Sequence, residues 1–176
     1  MGGWPVTGTQ VNTTRKAILR AFLPATVWYA VIFAFSAQTG EESGELSGAI
    51  VHRSIGLMGE LGALFQTDWD ALQLLSLLIR KGAHMGVFFV LTGLLLLGFR
   101  KLWTNRKACM AAAMGLCAVL AALDEFHQLF VPGREGKLSD VLIDTGGAVC
   151  FLLFYLAVKA LRRARKKRER EIQEGS

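Results

Sequence analysis

Four long apolar runs, at roughly 17–36, 83–99, 108–123 and 141–161, constrain this chain more than any other feature. A helix needs about 20 mostly apolar residues to cross ~30 Å of hydrocarbon. No water is present there, so every backbone group must pair within its own helix or within a closed barrel. The runs are too continuous for barrel strands, which alternate at a period of two. Four of them in 176 residues leave room for little else. The predicted fold is therefore all-α: an integral membrane bundle of four transmembrane helices. The high mean hydropathy, +0.38, agrees. The first run is longer than the apolar part of a usual secretory leader, and no small-x-small site clearly follows it, so it is expected to be a membrane span. Three segments follow: a polar, disordered start at 1–14, a membrane domain at 15–161 and a basic tail at 162–176.

The placement of charge sets the expected topology. Basic residues avoid short translocated loops. Fifteen of the 20 lie on one side of the spans. They are Arg15, Lys16 and Arg20 before the first span, Arg100, Lys101, Arg106 and Lys107 between the second and third, and the eight of the tail from Lys159 to Arg170. Arg53, Arg80, Lys81, Arg134 and Lys137 lie on the other side, with 11 of the 14 acids. This pattern predicts a protein of the cytoplasmic membrane with both termini in the cytoplasm and two loops outside. The tail directly follows a span and reads as an anchor touching anionic lipid. No base-reading motif accompanies it, so nucleic acid is not an expected partner.

The first outer loop is long. Leu46, Ile50, Leu57, Met58, Leu61, Leu64 and Phe65 recur at roughly helical spacing, with Ser47, His52, Arg53, Ser54 and Glu60 between them. This predicts a short amphipathic helix on the outer membrane surface or re-entering it. Asp68 is placed to cap the helix that continues into span two. Trp28, Trp69 and Trp103 suit interfacial anchors. The third span is rich in Ala and Gly, which favours close helix packing. Cys109, Cys117 and Cys150 all fall within spans three and four and read as small apolar packing residues.

Polar residues inside or beside the spans gather at the outer helix ends. Ser36 and Gln38 close span one, and Lys81 and His84 open span two. Asp124, Glu125, His127 and Gln128 close span three, while Asp140 and Asp144 open span four. Residues three or four apart share a helix face, as Lys81/His84, Asp124/Gln128 and Asp140/Asp144 do. Ionisable groups at membrane depth are expensive and face a polar interior. Asp144 therefore needs a partner, with Lys81 and Arg134 nearest by topology. His127 is expected to point away from the Asp124/Gln128 face. Mutual pairing that locks the helix ends together is the structural alternative to a functional site.

The strings Phe35-Ser36-Ala37-Gln38, Arg80-Lys81-Gly82-Ala83-His84, Asp124-Glu125-Phe126-His127-Gln128 with Pro132-Gly133-Arg134, and Asp140-Val141-Leu142-Ile143-Asp144-Thr145-Gly146-Gly147 resemble the VanZ family in order and spacing. The resemblance covers roughly 17–161. The family often carries Asn where Asp144 stands. The resemblance implies a multi-pass membrane protein, and its founding member is associated with resistance to the glycopeptide teicoplanin. It does not supply a biochemical activity.

Three functions remain open on these residues. The first is binding of an amphiphile: a membrane lipid, a lipid-linked wall precursor or a lipoglycopeptide. Lys81 and Arg134 would hold its phosphate or carboxylate. Ser36, Gln38, His84, Asp124, Glu125, Gln128, Asp140 and Asp144 would complete the pocket. The second is an enzyme acting on a lipid headgroup or wall intermediate, with His84, Asp124 and Glu125 as acid/base candidates. No G-x-S-x-G or H-E-x-x-H string supports it. The third is a structural partner in an envelope complex. No cofactor motif is present. Oxygen-rich clusters suit Mg²⁺ or Ca²⁺, but Asp124, Glu125, His84 and Asp140 match no standard ligand spacing, so the sequence assigns no metal.

Overall fold

The computed structural model describes residues 8–57 and 69–174. They form five helices: α1 (Gly8–Ser36), α2 (Gly40–Leu57), α3 (Trp69–Leu102), α4 (Arg106–Gln128) and α5 (Leu138–Glu174). No strand occurs among the described residues. Four of the helices contain segments long and apolar enough to cross a membrane: Arg15–Ser36, Gln73–Leu102, Arg106–Gln128 and Leu138–Glu174. The four apolar runs lie within these segments. Helix α1 starts at Gly8, ahead of the expected boundary at position 15. Helix α5 runs on through most of the basic tail, and at ~1.5 Å per residue it is about 55 Å long. Exposed one-turn pairs, Arg165–Glu169 at 2.8 Å and Lys167–Glu171 at 3.6 Å, lace this extension.

Local chemistry explains the helix starts. Thr39 and Glu42 form a reciprocal capping box at the head of α2. The Thr39 amide donates to Glu42 Oε2 at 2.9 Å, and the Glu42 amide donates to Thr39 Oγ1 at 3.3 Å. Asn105 caps α4 by accepting from the amides of Lys107 and Ala108. Helix α2 occupies the first part of the long loop, where an amphipathic helix was expected, and it packs on α3. Met58, Glu60, Leu61, Leu64, Phe65 and the proposed Asp68 cap lie outside the described residues.

Helix α3 is the hub: α1, α2, α4 and α5 all pack against it. Each spanning helix buries one stripe of residues along a single face. On α1 the stripe is Ala21, Ala25, Ile32 and Ser36; on α4 it is Cys109, Ala113, Cys117, Ala121, Asp124, Glu125 and Gln128. On α3 it passes through Phe88, Leu91, Thr92 and Leu95, and on α5 through Asp144, Gly147 and Ala148. The small residues of span three thus pack along one face, while Ala111 and Gly115 are exposed. Cys150 is also exposed, so of the three cysteines only Cys109 and Cys117 pack in the core.

Polar groups inside the bundle are bonded at short range. Trp28 Nε1 donates to the Val87 carbonyl at 2.9 Å, and the Tyr29 hydroxyl donates to the Leu120 carbonyl at 3.1 Å. Thr92 donates back to the Phe88 carbonyl at 2.8 Å. The Trp28 and Tyr29 bonds staple α1 to α3 and α4, where unmet polar groups would be costly.

Candidate functional site

The buried stripes share one property: at the same end of the bundle, all four turn polar. The last turn of the α1 stripe is Ser36, and the α4 stripe ends in Asp124, Glu125 and Gln128. The stripes of α3 and α5 begin with Lys81 and His84 and with Asp140 and Asp144. Helix periodicity carries an apolar seam directly into a charged one.

The cluster has two halves. In the first, Asp124 is fully buried, and its Oδ2 accepts from Ser36 Oγ at 2.7 Å and from Gln128 Nε2 at 3.1 Å. Gln128 also donates to Glu125 Oε1 at 3.3 Å, and its own Oε1 accepts from Arg134 Nη1 at 3.3 Å. Arg134 then crosses to the end of α1 and the turn after it, donating to the carbonyls of Phe35 at 3.4 Å and Gln38 at 3.0 Å. Glu125 Oε2 accepts from the Lys137 amide at 3.0 Å, which ties the α4–α5 loop down. Burial, followed by the neighbouring Arg80 charge, lowers the Arg134 pKa from its usual value, while Asp124 and Glu125 oppose the shift. An arginine starts so high that it stays cationic.

In the second half, α3 and α5 run side by side in the same direction. Lys81 Nζ pairs with Asp140 Oδ1 at 2.6 Å, and one turn deeper His84 Nδ1 lies 3.8 Å from Asp144 Oδ1. The partner of Asp144 is therefore His84, not Lys81 or Arg134. The reason is register: Lys81 is engaged by Asp140, and Arg134 by Gln128 and α1. His127 turns away from the cluster and stacks on Phe33, with ring centroids 4.2 Å apart.

Two cavities adjoin the cluster. A small one of about 20 Å³ is lined by Arg80, Lys81, His84, Glu125, Gln128, Arg134, Asp140, Ile143 and Asp144. The second, about 280 Å³, is an apolar groove between α1, α2 and α3, walled by residues such as Trp28, Ile32, Phe35, Leu46, Ile50 and Val87. Arg80, His84 and Arg134 line both. The cluster is thus the polar head of an apolar groove.

A sequence model of the VanZ/LLP1 family matches residues 21–159. The chain belongs to the VanZ/LLP1 family. No curated protein and no solved structure matches it. The match ends just before the exposed extension of α5 and includes every cluster residue.

All ten residues picked from the sequence fall in or beside this region of the VanZ-like bundle. Ser36, Lys81, His84, Asp124, Glu125, Gln128, Arg134, Asp140 and Asp144 join through side chains. Gln38 offers its backbone carbonyl to Arg134 and lines the groove. Arg80 was missed as a site residue. Its signal was its place one turn before His84, which puts both on one helix face.

Proposed function

We propose that this VanZ-like protein binds an amphiphile with an anionic headgroup, with its polar cluster on the outer face of the cytoplasmic membrane and both termini inside. The observation that carries the reading is the continuity of the apolar groove with the basic rim of Arg80 and Arg134. An acyl chain suits the groove, because its wall is Trp, Ile, Phe, Leu and Val. A phosphate or carboxylate suits the rim, because three of Arg134's five N–H donors are used in fixing its plane and the others remain. Lys81 contributes less than the sequence suggests, since Asp140 neutralises it. Candidate ligands are a membrane lipid, a lipid-linked wall precursor and a lipoglycopeptide such as teicoplanin, whose acyl chain vancomycin lacks.

Trp28 lines the groove and reports on it directly. Phosphatidylglycerol with brominated tails, titrated into the detergent-solubilised protein, should quench a saturable fraction of emission that Trp28→Phe removes. Ala83→Phe, which fills the groove, should abolish that fraction, and brominated phosphatidylcholine should quench it far less. Teicoplanin should compete, and vancomycin should not. Equal, unsaturable quenching by both lipids would rule the reading out. In a glycopeptide-sensitive Gram-positive host, the wild type should protect selectively against teicoplanin. Arg134→Ala and Asp124→Asn at equal membrane levels should remove the protection, and Lys81→Ala should weaken it less.

A further inference from the structure

We infer that His84, Asp124 and Asp144 form a site for a divalent transition-metal ion, Zn²⁺ or Mn²⁺, at the floor of the polar cluster. One ligand atom from each of the three lies within 4.8 Å of the others. They come from three different helices, α3, α4 and α5. Motif spacing along a chain detects ligands on one element, so it does not register this set.

The independent observation is a pair of orphaned oxygens. Asp124 and Asp144 are 0% and 1% exposed. Asp124 Oδ1 and Asp144 Oδ2 are nonetheless buried without any hydrogen-bond partner. Buried carboxylate oxygens are normally satisfied. The other oxygen of Asp124, Oδ2, is already held by Ser36 and Gln128, and the other oxygen of Asp144, Oδ1, lies 3.8 Å from His84 Nδ1. At Asp124 this is the outer-shell arrangement that aims a carboxylate at a metal: one oxygen fixed and the other left for coordination.

Charge points the same way. The cavity and cluster together hold four carboxylates, Asp124, Glu125, Asp140 and Asp144, against three basic side chains, Arg80, Lys81 and Arg134. Two carboxylates this close in a low-dielectric interior repel strongly unless positive charge sits between them. One imidazole with two carboxylates is a mixed nitrogen–oxygen donor set, which suits Zn²⁺ or Mn²⁺ better than Ca²⁺. Around a tetrahedral ion with bonds of about 2.0–2.1 Å, ligand atoms stand roughly 3.3 Å apart. Small side-chain rotations close the set from its present span. Three protein ligands leave a coordination position for water or for an oxygen of the bound headgroup, reached through the 20 Å³ cavity that His84 and Asp144 line.

The test uses the untagged full chain, purified in detergent, stripped with EDTA and exposed to MnCl₂ or ZnCl₂. After desalting, elemental analysis should find about one ion per chain. Asp124→Asn and Asp144→Asn should each retain less than a tenth of that, and Glu135→Gln, at an exposed carboxylate outside the cluster, should retain all of it. The asparagine variants are checked for folding by their elution profile. The wild type alone supplies a second readout, because spin-echo modulation of its bound Mn²⁺ should show one histidine nitrogen, lost in His84→Gln. Wild type that keeps no ion overturns the site, since a proton then serves as the counter-charge. So does metal that survives both Asp variants, or bound Mn²⁺ without the nitrogen signal.

Discussion

At the scale of single residues, burial decides which contacts matter. Lys137 and Glu135 make a 2.8 Å pair in the α4–α5 loop, with both side chains largely exposed. Each shifts the other's pKa towards the charged form, Glu135 downward and Lys137 upward. Solvent screens such a pair and leaves it little influence on stability. Ser36 differs: it is 1% exposed and donates to the carboxylate of a fully buried aspartate. Hydrogen bonds to charged groups contribute about 1.5–3 kcal/mol, and Asp124 would be left with fewer donors. Ser36→Ala is therefore expected to lower the unfolding free energy in mixed micelles by about 2 kcal/mol, while Glu135→Gln leaves it unchanged. Arg134→Lys tests geometry at constant charge. A single ammonium cannot reach Gln128 and the carbonyls of Phe35 and Gln38 from one plane. It should detach the α4–α5 loop from the end of α1, seen as faster exchange of the Gly40 amide, which donates to the Pro132 carbonyl.

At the scale of helices, backbone approach sets the register. A Cβ on Gly147 would stand 2.2 Å from the Met85 carbonyl oxygen, so α5 lies against α3 with no side chain between them. That contact fixes the ladder Lys81–Asp140, His84–Asp144 and, further along, Phe89–Phe151. Gly147→Ala should force the two helices apart, costing about 1–3 kcal/mol as overpacking does. It should also break both charged pairs. Gly115 meets nothing within 4 Å, so Gly115→Ala should be neutral or stabilising by up to about 1 kcal/mol. Unfolding of the two variants side by side checks the order. A second close approach joins the α1–α2 corner to the α4–α5 loop. The Gly40 amide donates to the Pro132 carbonyl at 3.1 Å, and Gly133, at φ +72°, lies directly beneath Gly40. These contacts explain what was legible in the sequence. Spans and stripes could be read because lipid and a 3.6-residue period leave few alternatives. The list of site residues followed, because polar groups at the ends of apolar stripes have few places to go. The partner of Asp144 could not be read. Lys81 and His84 share a face, so only the axial shift between α3 and α5 decides which carboxylate each meets, and that shift depends on a glycine contact between distant parts of the chain. The groove could not be read either, since its walls come from three helices.

At the scale of the whole molecule, the bundle is electrically polarised, and this polarity is the basis of the proposed orientation. The polar cluster occupies one end. Arg100, Arg106, Lys159, Arg162, Arg163 and Lys166 line a cavity at the other, around the α3–α4 turn and the start of the α5 extension. The basic residues at that end outnumber those at the cluster end three to one, and two of the cluster's three are paired or hydrogen-bonded: Lys81 to Asp140, Arg134 to Gln128. Uncompensated Lys and Arg near span ends are retained on the cytoplasmic side, where anionic lipid also attracts them. The orientation proposed above puts the cluster, the groove mouth and α2 outward, the side from which a wall precursor or a glycopeptide would arrive. Single-cysteine labelling measures this directly. Cys109 and Cys117 are buried, and Cys150→Ser removes the exposed thiol. In that background, Glu135→Cys in the α4–α5 loop should react with a membrane-impermeant maleimide on intact cells. Thr104→Cys in the α3–α4 turn should react only after permeabilisation. The reverse pattern would turn the cluster to the cytoplasm, so that outer-leaflet and extracellular ligands could not reach it, and the amphiphile sought would have to come from the inner leaflet.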